Sequence, residues 1–154
     1  YPFGLAGSIP DGSTSDNFSD VETLTLDPFY RRFVSDAFSA LGVCAELWQT
    51  DFKIVPWQGA QAEFPVVVIN DTAASYEDFF EVSVCRASTP LFRHRYRYKV
   101  VPFGLSRTQV KIDLPSAPGR YEIVTTLYGG KREPVRSYRP IRLHDRARPK
   151  KPAD

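Results

Sequence analysis

The 154-residue chain contains no methionine, two cysteines and two histidines, and its net charge at pH 7 is only +2. Two cysteines are too few for the disulfide framework of a small secreted domain. No apolar run is long enough to span a membrane, and the first residues lack the basic start and apolar centre of a signal peptide. The small basic excess and the lack of a recognised module argue against a nucleic-acid partner. These absences indicate a soluble domain without membrane or nucleic-acid partners.

Hydrophobic residues make up 42% of the chain, which is enough to bury a core. Residues 1–26 are rich in Gly, Ser, Asp and Pro, and they predict an extended N-terminal segment or the end of a preceding domain. A helix is predicted over residues 27–42. Asp27 suits its N-cap, Pro28 its first helical position, and Gly42 the left-handed residue after the last turn.

From residue 43 onward apolar and polar residues alternate, which is the period of a half-buried strand. Turn sequences such as "NDT", "SAPG" and "YGG" separate the alternating runs. Strands are predicted at about residues 43–50, 63–70, 79–87, 91–101, 107–114, 120–128 and 135–143. The predicted fold is all-β, an immunoglobulin-like antiparallel β-sandwich of about seven strands over residues 43–144, with an N-terminal extension carrying one short helix. Residues 145–154 predict a basic, disordered tail.

The segment "SAPGRYEIVTTL" is typical of the corner through which immunoglobulin-like sandwiches enter a late central strand. In such a corner a tyrosine ring packs at the sheet edge and its hydroxyl bonds to nearby backbone. Tyr121 is therefore predicted to be structural rather than a ligand contact. Cys44 and Cys85 share the parity of polar neighbours and point away from the predicted core faces, so we expect two free thiols.

The stretch "FRHRYRYKVV" alternates between aromatic or apolar residues and cations. A strand in a sandwich buries one face and exposes the other. The parity predicted to point into the core contains Phe92, His94, Tyr96, Tyr98 and Val100. The opposite parity contains Arg93, Arg95, Arg97 and Lys99, which we expect to face water, a neighbouring domain or an acidic ligand. Glu81 on the preceding strand is one predicted cross-strand partner of these cations.

Two further stretches, "SDAFSALGVCAELWQTDF" and "FPVVVINDTAASYEDFFEVSV", carry a family resemblance. They resemble the start of the β-sandwich domain that follows the catalytic barrel in glycoside hydrolase family two enzymes, the β-galactosidase and β-mannosidase relatives. The matching residues are Ala37, Phe38, Leu41, Gly42, Val43, Leu47 and Trp48, then Val67, Val68, Ile69, Asn70 and Asp71. Ser39 and Ala40 depart from the family pattern, in which proline is common. The resemblance covers residues 27–143 and is close over 36–72.

The resemblance implies a non-catalytic accessory domain of a bacterial glycosidase, whose helix face and Trp48 dock on the catalytic barrel and whose sandwich supports the active-site rim. The two catalytic carboxylates of such retaining enzymes lie on the barrel. This chain contains no stretch similar to the sequence around either of them, so no catalytic residue is assigned and the fragment is expected to be inactive. A start without methionine fits a piece of a longer protein. The residues specify no compartment, and a periplasmic or extracellular parent enzyme is compatible with them.

Other site chemistry is not indicated by the sequence. His94 and His144 are far apart, and no cysteine or carboxylate lies at zinc-like spacing around them, so we expect no metal site. Neither cysteine has the context of a reactive thiolate, and no phosphate-binding loop precedes a helix. We therefore expect no cofactor.

Two alternative functions remain open. One is a carbohydrate-binding module that stacks sugars on exposed aromatic rings, with Trp57, Tyr96 and Tyr98 as candidates. Trp57 lies in the Pro- and Gly-containing stretch "KIVPWQGAQAE", where exposure is expected. The other is a free-standing adhesion or polyanion-binding domain that uses the four cations of the alternating strand.

Overall fold

A computed structural model describes residues 18–20, 23, 25–54, 59–129 and 133–145. The chain divides into two compact units, Tyr1–Ser39 and Ala40–Asp154. The described part of the first unit contains a short antiparallel strand pair and one helix. These elements are β1 (Phe18–Asp20), β2 (Thr25–Leu26) and α1 (Pro28–Ala37). Within the described ranges, no helix combines the length and the apolar character needed to cross a membrane.

Helix α1 begins as the sequence predicts but ends earlier. The carboxylate of Asp27 accepts a hydrogen bond from the N–H of Tyr30 at 3.1 Å, which is the N-cap contact expected. The N–H of Phe38 donates to the carbonyl of Val34 at 3.0 Å and closes the last turn. The predicted end at Gly42 was wrong, because the segment around it leaves the helix and pairs with a strand of the second unit.

The described residues of the second unit form an all-β sandwich of eight strands in two sheets. The strands are β3 (Leu41–Ala45), β4 (Asp51–Ile54), β5 (Ala60–Asn70), β6 (Tyr76–Arg86), β7 (Thr89–Val100), β8 (Leu105–Leu114), β9 (Gly119–Leu127) and β10 (Val135–Asp145). One sheet has the order β4-β10-β9-β6-β7 and the other the order β3-β5-β8. The chain changes sheet before and after β4, between β5 and β6, between β7 and β8, and between β8 and β9. Repeated crossing between two sheets is typical of immunoglobulin-like sandwiches.

Seven of these strands are the predicted ones, and β4 is the additional one. It runs parallel to β10, with Phe52 opposite Leu143, whereas the other neighbouring strands of the two sandwich sheets are antiparallel. Polar and apolar residues alternate over only the four positions Asp51–Ile54, which is a weak signal, so this strand was not predicted from the sequence. The residues of the predicted tail beyond 145 lie outside the described ranges.

The core lies between the two sheets and consists of the inward parity of the strands. The largest fully buried side chains are Phe80, Leu41, Ile112, Ile123, Leu127, Leu143, Val66, Val68, Val82, Val84 and Val100. Each side chain of this kind contributes about 1.5–3 kcal/mol relative to an exposed one. Burial alternates along the strands in the same way as apolar and polar residues alternate in the sequence, which is why that alternation predicted a two-sheet sandwich.

The predicted corner is present at the start of β9. The ring of Tyr121 is buried, and its hydroxyl donates to the carbonyl of Ala117 at 3.0 Å. The guanidinium of Arg86 lies 5.7 Å from the centroid of the same ring. The structural role predicted for Tyr121 is confirmed, because both its ring and its hydroxyl are engaged within the sandwich.

Candidate functional site

Strand β7 forms one edge of the five-stranded sheet and carries the four cations that we call the basic row: Arg93, Arg95, Arg97 and Lys99. The predicted alternation is confirmed in outline: the four cations are exposed, Tyr98 and Val100 are buried, and His94 and Tyr96 are half-buried. Phe92 departs from the prediction and is 37% exposed. It lies near the hairpin that joins β6 to β7, on the edge strand opposite the fully buried Val84.

Carboxylates of β6 offset part of the charge of the basic row. Glu81 is buried and accepts from Arg95 Nε at 3.2 Å, while Arg93 Nε lies 3.9 Å from its other oxygen. Lys99 Nζ lies 3.5 Å from Glu77 Oε2. Arg97 lies opposite an aromatic residue of β6 and forms no ion pair with any residue that the structure describes. The row is therefore an ordered surface that keeps a positive excess.

The aromatic residues predicted for sugar binding have other roles where they are described. Tyr96 donates its hydroxyl hydrogen to the carbonyl of Lys111 at 2.6 Å, and Tyr98 donates to the carbonyl of Tyr128 at 2.7 Å. Tyr98 is only 3% exposed, so it has no ring face for a ligand. Burial, followed by the nearby Asp78 carboxylate, raises the pKa of Tyr98 to about 12. Trp57 lies outside the described residues.

Four exposed apolar side chains that sequence reasoning did not assign to a site lie at one end of the sandwich. We call this surface the apolar end; it consists of Ile69, Val101, Phe103 and Leu105. Ile69 and Leu105 are cross-strand neighbours on β5 and β8, and the other two belong to the turn between β7 and β8. The signal in the sequence was the turn "VPFGL", whose apolar residues have no place in the core.

The buried side chain of Asn70 holds the turn of the apolar end. Its Nδ2 donates to the carbonyls of Val101 at 2.8 Å and Ala74 at 2.7 Å, and its Oδ1 accepts from the N–H of Thr72 at 3.0 Å. The N–H of Phe103 donates to the carbonyl of Thr72 at 3.1 Å. These bonds join the loop after β5 to the turn after β7 and give the exposed side chains a rigid base.

Metal and thiol chemistry find no support among the described residues. They contain no group of three or more potential metal ligands, and His144 instead contacts Asp51 at 2.7 Å. Cys44 and Cys85 are both free thiols, as predicted. Burial and the nearby Glu122 carboxylate raise the pKa of the Cys85 thiol, opposed by Arg93, and a raised pKa disfavours the reactive thiolate.

No protein-family model and no curated protein matches the chain. Solved structures of low sequence identity are similar to it in fold. A β-glucosidase from Listeria innocua in complex with glucose matches with a TM-score of 0.52 at 6% identity, over 69% of this chain and 16% of the glucosidase. Spo0M, a sporulation control protein from Bacillus subtilis, matches with a TM-score of 0.52 at 12% identity, over 69% of this chain and 50% of Spo0M. The chain thus spans a small part of the glucosidase and half of Spo0M.

Proposed function

We propose that this chain is a non-catalytic β-sandwich accessory domain of a bacterial glycoside hydrolase, and that it packs against the catalytic barrel and supports it. The observation that carries the proposal is the apolar end. Phe103 is 74% exposed there, with three further apolar side chains beside it. Exposed apolar side chains grouped at one end of a domain are typical of a protein–protein contact.

The rigidity of the apolar end supports a docking role. Phe103 has φ 51, in the left-handed region that a bulky side chain rarely adopts. Backbone hydrogen bonds to Thr72 and from Asn70 to Gly104 hold this strained turn in place. A surface ordered before contact loses little conformational entropy on binding, which favours association.

The position of the apolar end favours a partner that is part of the same polypeptide. The N–H of Asp71 donates to the carbonyl of Ala40 at 2.9 Å, so the first residue of the sandwich unit lies beside the Asn70 loop. In the proposed polypeptide the catalytic domain precedes this unit and is tethered to it through the chain that enters at Ala40. Tethering raises the effective concentration of a partner and makes even a modest contact persistent.

The glycosidase assignment has two supports of a different kind. One is the resemblance of residues 36–72 to family two sequences, which includes Asn70 and Asp71 of the loop that holds the apolar end. The other is that a solved glycosidase contains a similar fold as a small part of a much longer chain. Both supports concern the kind of parent enzyme, and the contact between this chain and a catalytic barrel is what we propose.

The proposal is tested first on the reading frame that encodes the chain, which should contain a barrel segment next to it. The barrel segment and this chain are then produced separately, and the melting temperature of the barrel is measured with and without the chain. We expect wild-type chain to raise it, and Phe103→Asp or Leu105→Asp to abolish the rise. Leu91→Asp adds the same charge at an exposed apolar position of β7 and should behave as wild type. A reading frame without a barrel, or full stabilisation by Phe103→Asp, overturns the proposal.

A further inference from the structure

Trp48 is the most exposed of the large apolar side chains described, at 91%. It lies in the connection between β3 and β4, and tryptophan is highly buried on average because its ring carries a large apolar area. The resemblance to family two placed Trp48 in the contact with the barrel. However, β3 pairs Leu41 with Asn70 and Ala45 with Val66, so Trp48 follows the end of β3 that lies away from the apolar end.

An open groove borders Trp48. It has a volume of about 620 Å³, and it is formed by the connection after β3, by β4 and by the first half of β5. This volume is within the range of small-molecule sites. The polar side chains that line it are Glu46, Gln49, Asp51, Lys53, Gln61 and Glu63. An exposed indole thus stands beside a concave surface with many hydrogen-bonding groups.

The carboxylates of the groove are paired with basic side chains. Glu46 Oε1 accepts from Arg107 at 2.6 Å, and Glu63 Oε1 lies 3.1 Å from Lys111 Nζ. The carboxylate of Asp51 contacts an imidazole, and Lys53 adds a further cation at the groove. The three carboxylates that line the groove are matched in number by the cations Arg107, Lys111 and Lys53, so a charged ligand gains little net attraction here. The groove favours an uncharged ligand.

The two amides of the groove are oriented by their own hydrogen bonds. Gln49 Nε2 donates to the carbonyl of Asp51 at 2.8 Å, and Gln61 Nε2 donates to Asp113 Oδ1 at 2.9 Å. Each bond fixes the amide plane and leaves the side-chain oxygen as an acceptor for a hydroxyl group. The paired carboxylates likewise keep their second oxygen for such a bond.

We infer that the Trp48 groove, meaning the surface formed by Trp48 and the six polar residues named above, binds a short stretch of a neutral oligosaccharide. A pyranose ring has an apolar C–H face and a rim of hydroxyls. The face stacks on the indole of Trp48, and the rim donates to Gln49, Gln61 and the carboxylates. The choice of a sugar over another uncharged polyol rests on the proposed function. The inference assigns carbohydrate binding to a residue other than Trp57, Tyr96 and Tyr98.

The test titrates the full chain with neutral cellotetraose and laminaritetraose, with tetragalacturonate and a chitosan tetramer as charged comparisons. Calorimetry gives the affinity, and the indole N–H resonance of Trp48 reports the site. We expect a neutral probe to shift this resonance, and Trp48→Ala to weaken binding about tenfold or more, the size of one aromatic contact. Trp48→Phe retains a flat ring, so its affinity should lie between those of the wild type and Trp48→Ala.

Controls separate this inference from the proposed function. Phe103→Asp should bind the neutral probes as wild type does, and Trp48→Ala should still stabilise the barrel. Circular dichroism verifies that Trp48→Ala is folded, as its exposure leads us to expect. Binding that is unchanged in both Trp48 variants, tighter binding of a charged probe, or no shift with any neutral probe overturns the inference. If the chain binds saccharide but does not stabilise the barrel, the proposed function is overturned and the inference about the Trp48 groove is not.

Discussion

The hydroxyl of Tyr96 bonds to both backbone polar groups of Lys111. It donates to the carbonyl at 2.6 Å and accepts from the N–H at 3.3 Å. Lys111 lies on β8, which is an edge strand of the three-stranded sheet. Tyr96 lies on β7, an edge strand of the other sheet. Its hydroxyl thus bonds backbone groups of β8 that an additional strand could otherwise pair with, and it links the two sheets.

Tyr96→Phe should therefore lower the free energy of unfolding by about 1 kcal/mol, because water replaces the lost bonds only in part. The matched control is Tyr76→Phe, which removes a hydroxyl with one weak contact of 3.4 Å to Thr72. Urea unfolding of both variants measures the difference. Equal midpoints for the two variants would contradict a role of the Tyr96 hydroxyl in joining the layers.

Asn70→Asp should destabilise the sandwich strongly at pH 7. The change keeps the size of a fully buried side chain but directs a carboxylate at the carbonyls of Ala74 and Val101. We expect a loss of about 3 kcal/mol or more, the cost of an uncompensated buried charge. The loss should shrink toward pH 4, because the protonated acid is neutral and can donate one hydrogen bond. Asp71→Asn, at the exposed neighbouring position, should change stability little at either pH.

The Tyr98 hydroxyl should titrate late in an alkaline titration. Its pKa is raised from 10.0 to about 12, so the folded chain holds this proton more tightly than the unfolded chain. The corresponding contribution to stability is complete below pH 10 and is lost as the pH rises from about 10 toward 12. Tyrosinate absorbance during an alkaline titration should show a late step that Tyr98→Phe removes. A late step that persists in this variant would argue against the assignment.

Glu81→Gln should destabilise the chain more than Glu77→Gln does. The side chain of Glu81 is 9% exposed and faces two arginines, whereas that of Glu77 is 62% exposed and faces one lysine. Loss of a buried charge-assisted hydrogen bond costs about 1.5–3 kcal/mol, while an exposed pair contributes about 0–1 kcal/mol. Chemical unfolding at low and high salt measures both. Equal effects would mean that Glu81 does not order the basic row.

Thr125→Val should stabilise the chain. Thr125 is fully buried on β9, and its hydroxyl has no hydrogen-bond partner in the part of the chain that the structure describes. Valine has a similar shape and removes the unsatisfied group, so a gain of about 1 kcal/mol is expected. Thr126→Val, on the outer face of the same strand, serves as the control. A lower melting temperature for Thr125→Val than for Thr126→Val would show that the hydroxyl does have a partner.

The parts of the fold that were predicted depend on neighbours in the sequence. Alternation over eight or more residues is visible in the chain itself, which is why β7 and its outward cations were assigned correctly. The N-cap at Asp27 and the corner at Tyr121 are likewise local, with partners three and four residues away. The early end of α1 and the presence of β4 depend on pairing with distant strands, so local patterns did not reveal them.

The candidate site was predicted less completely for the same reason. The sequence marked Tyr96 and Tyr98 as aromatic but not their hydroxyl partners, which lie 15 and 30 residues away. It marked Trp48 as a contact residue but not the groove, because that surface forms only when the connection after β3 meets β5. Of the apolar end, the sequence showed only that the turn between β7 and β8 contains apolar residues.

By itself, the sequence determined an all-β sandwich, the inward and outward faces of its long strands, and the local turns and caps, because these depend on residue type and short-range spacing. Only the tertiary structure decided which polar groups are already satisfied and which surfaces remain exposed. Those properties depend on which distant strands become neighbours, and this is settled by packing around a common core.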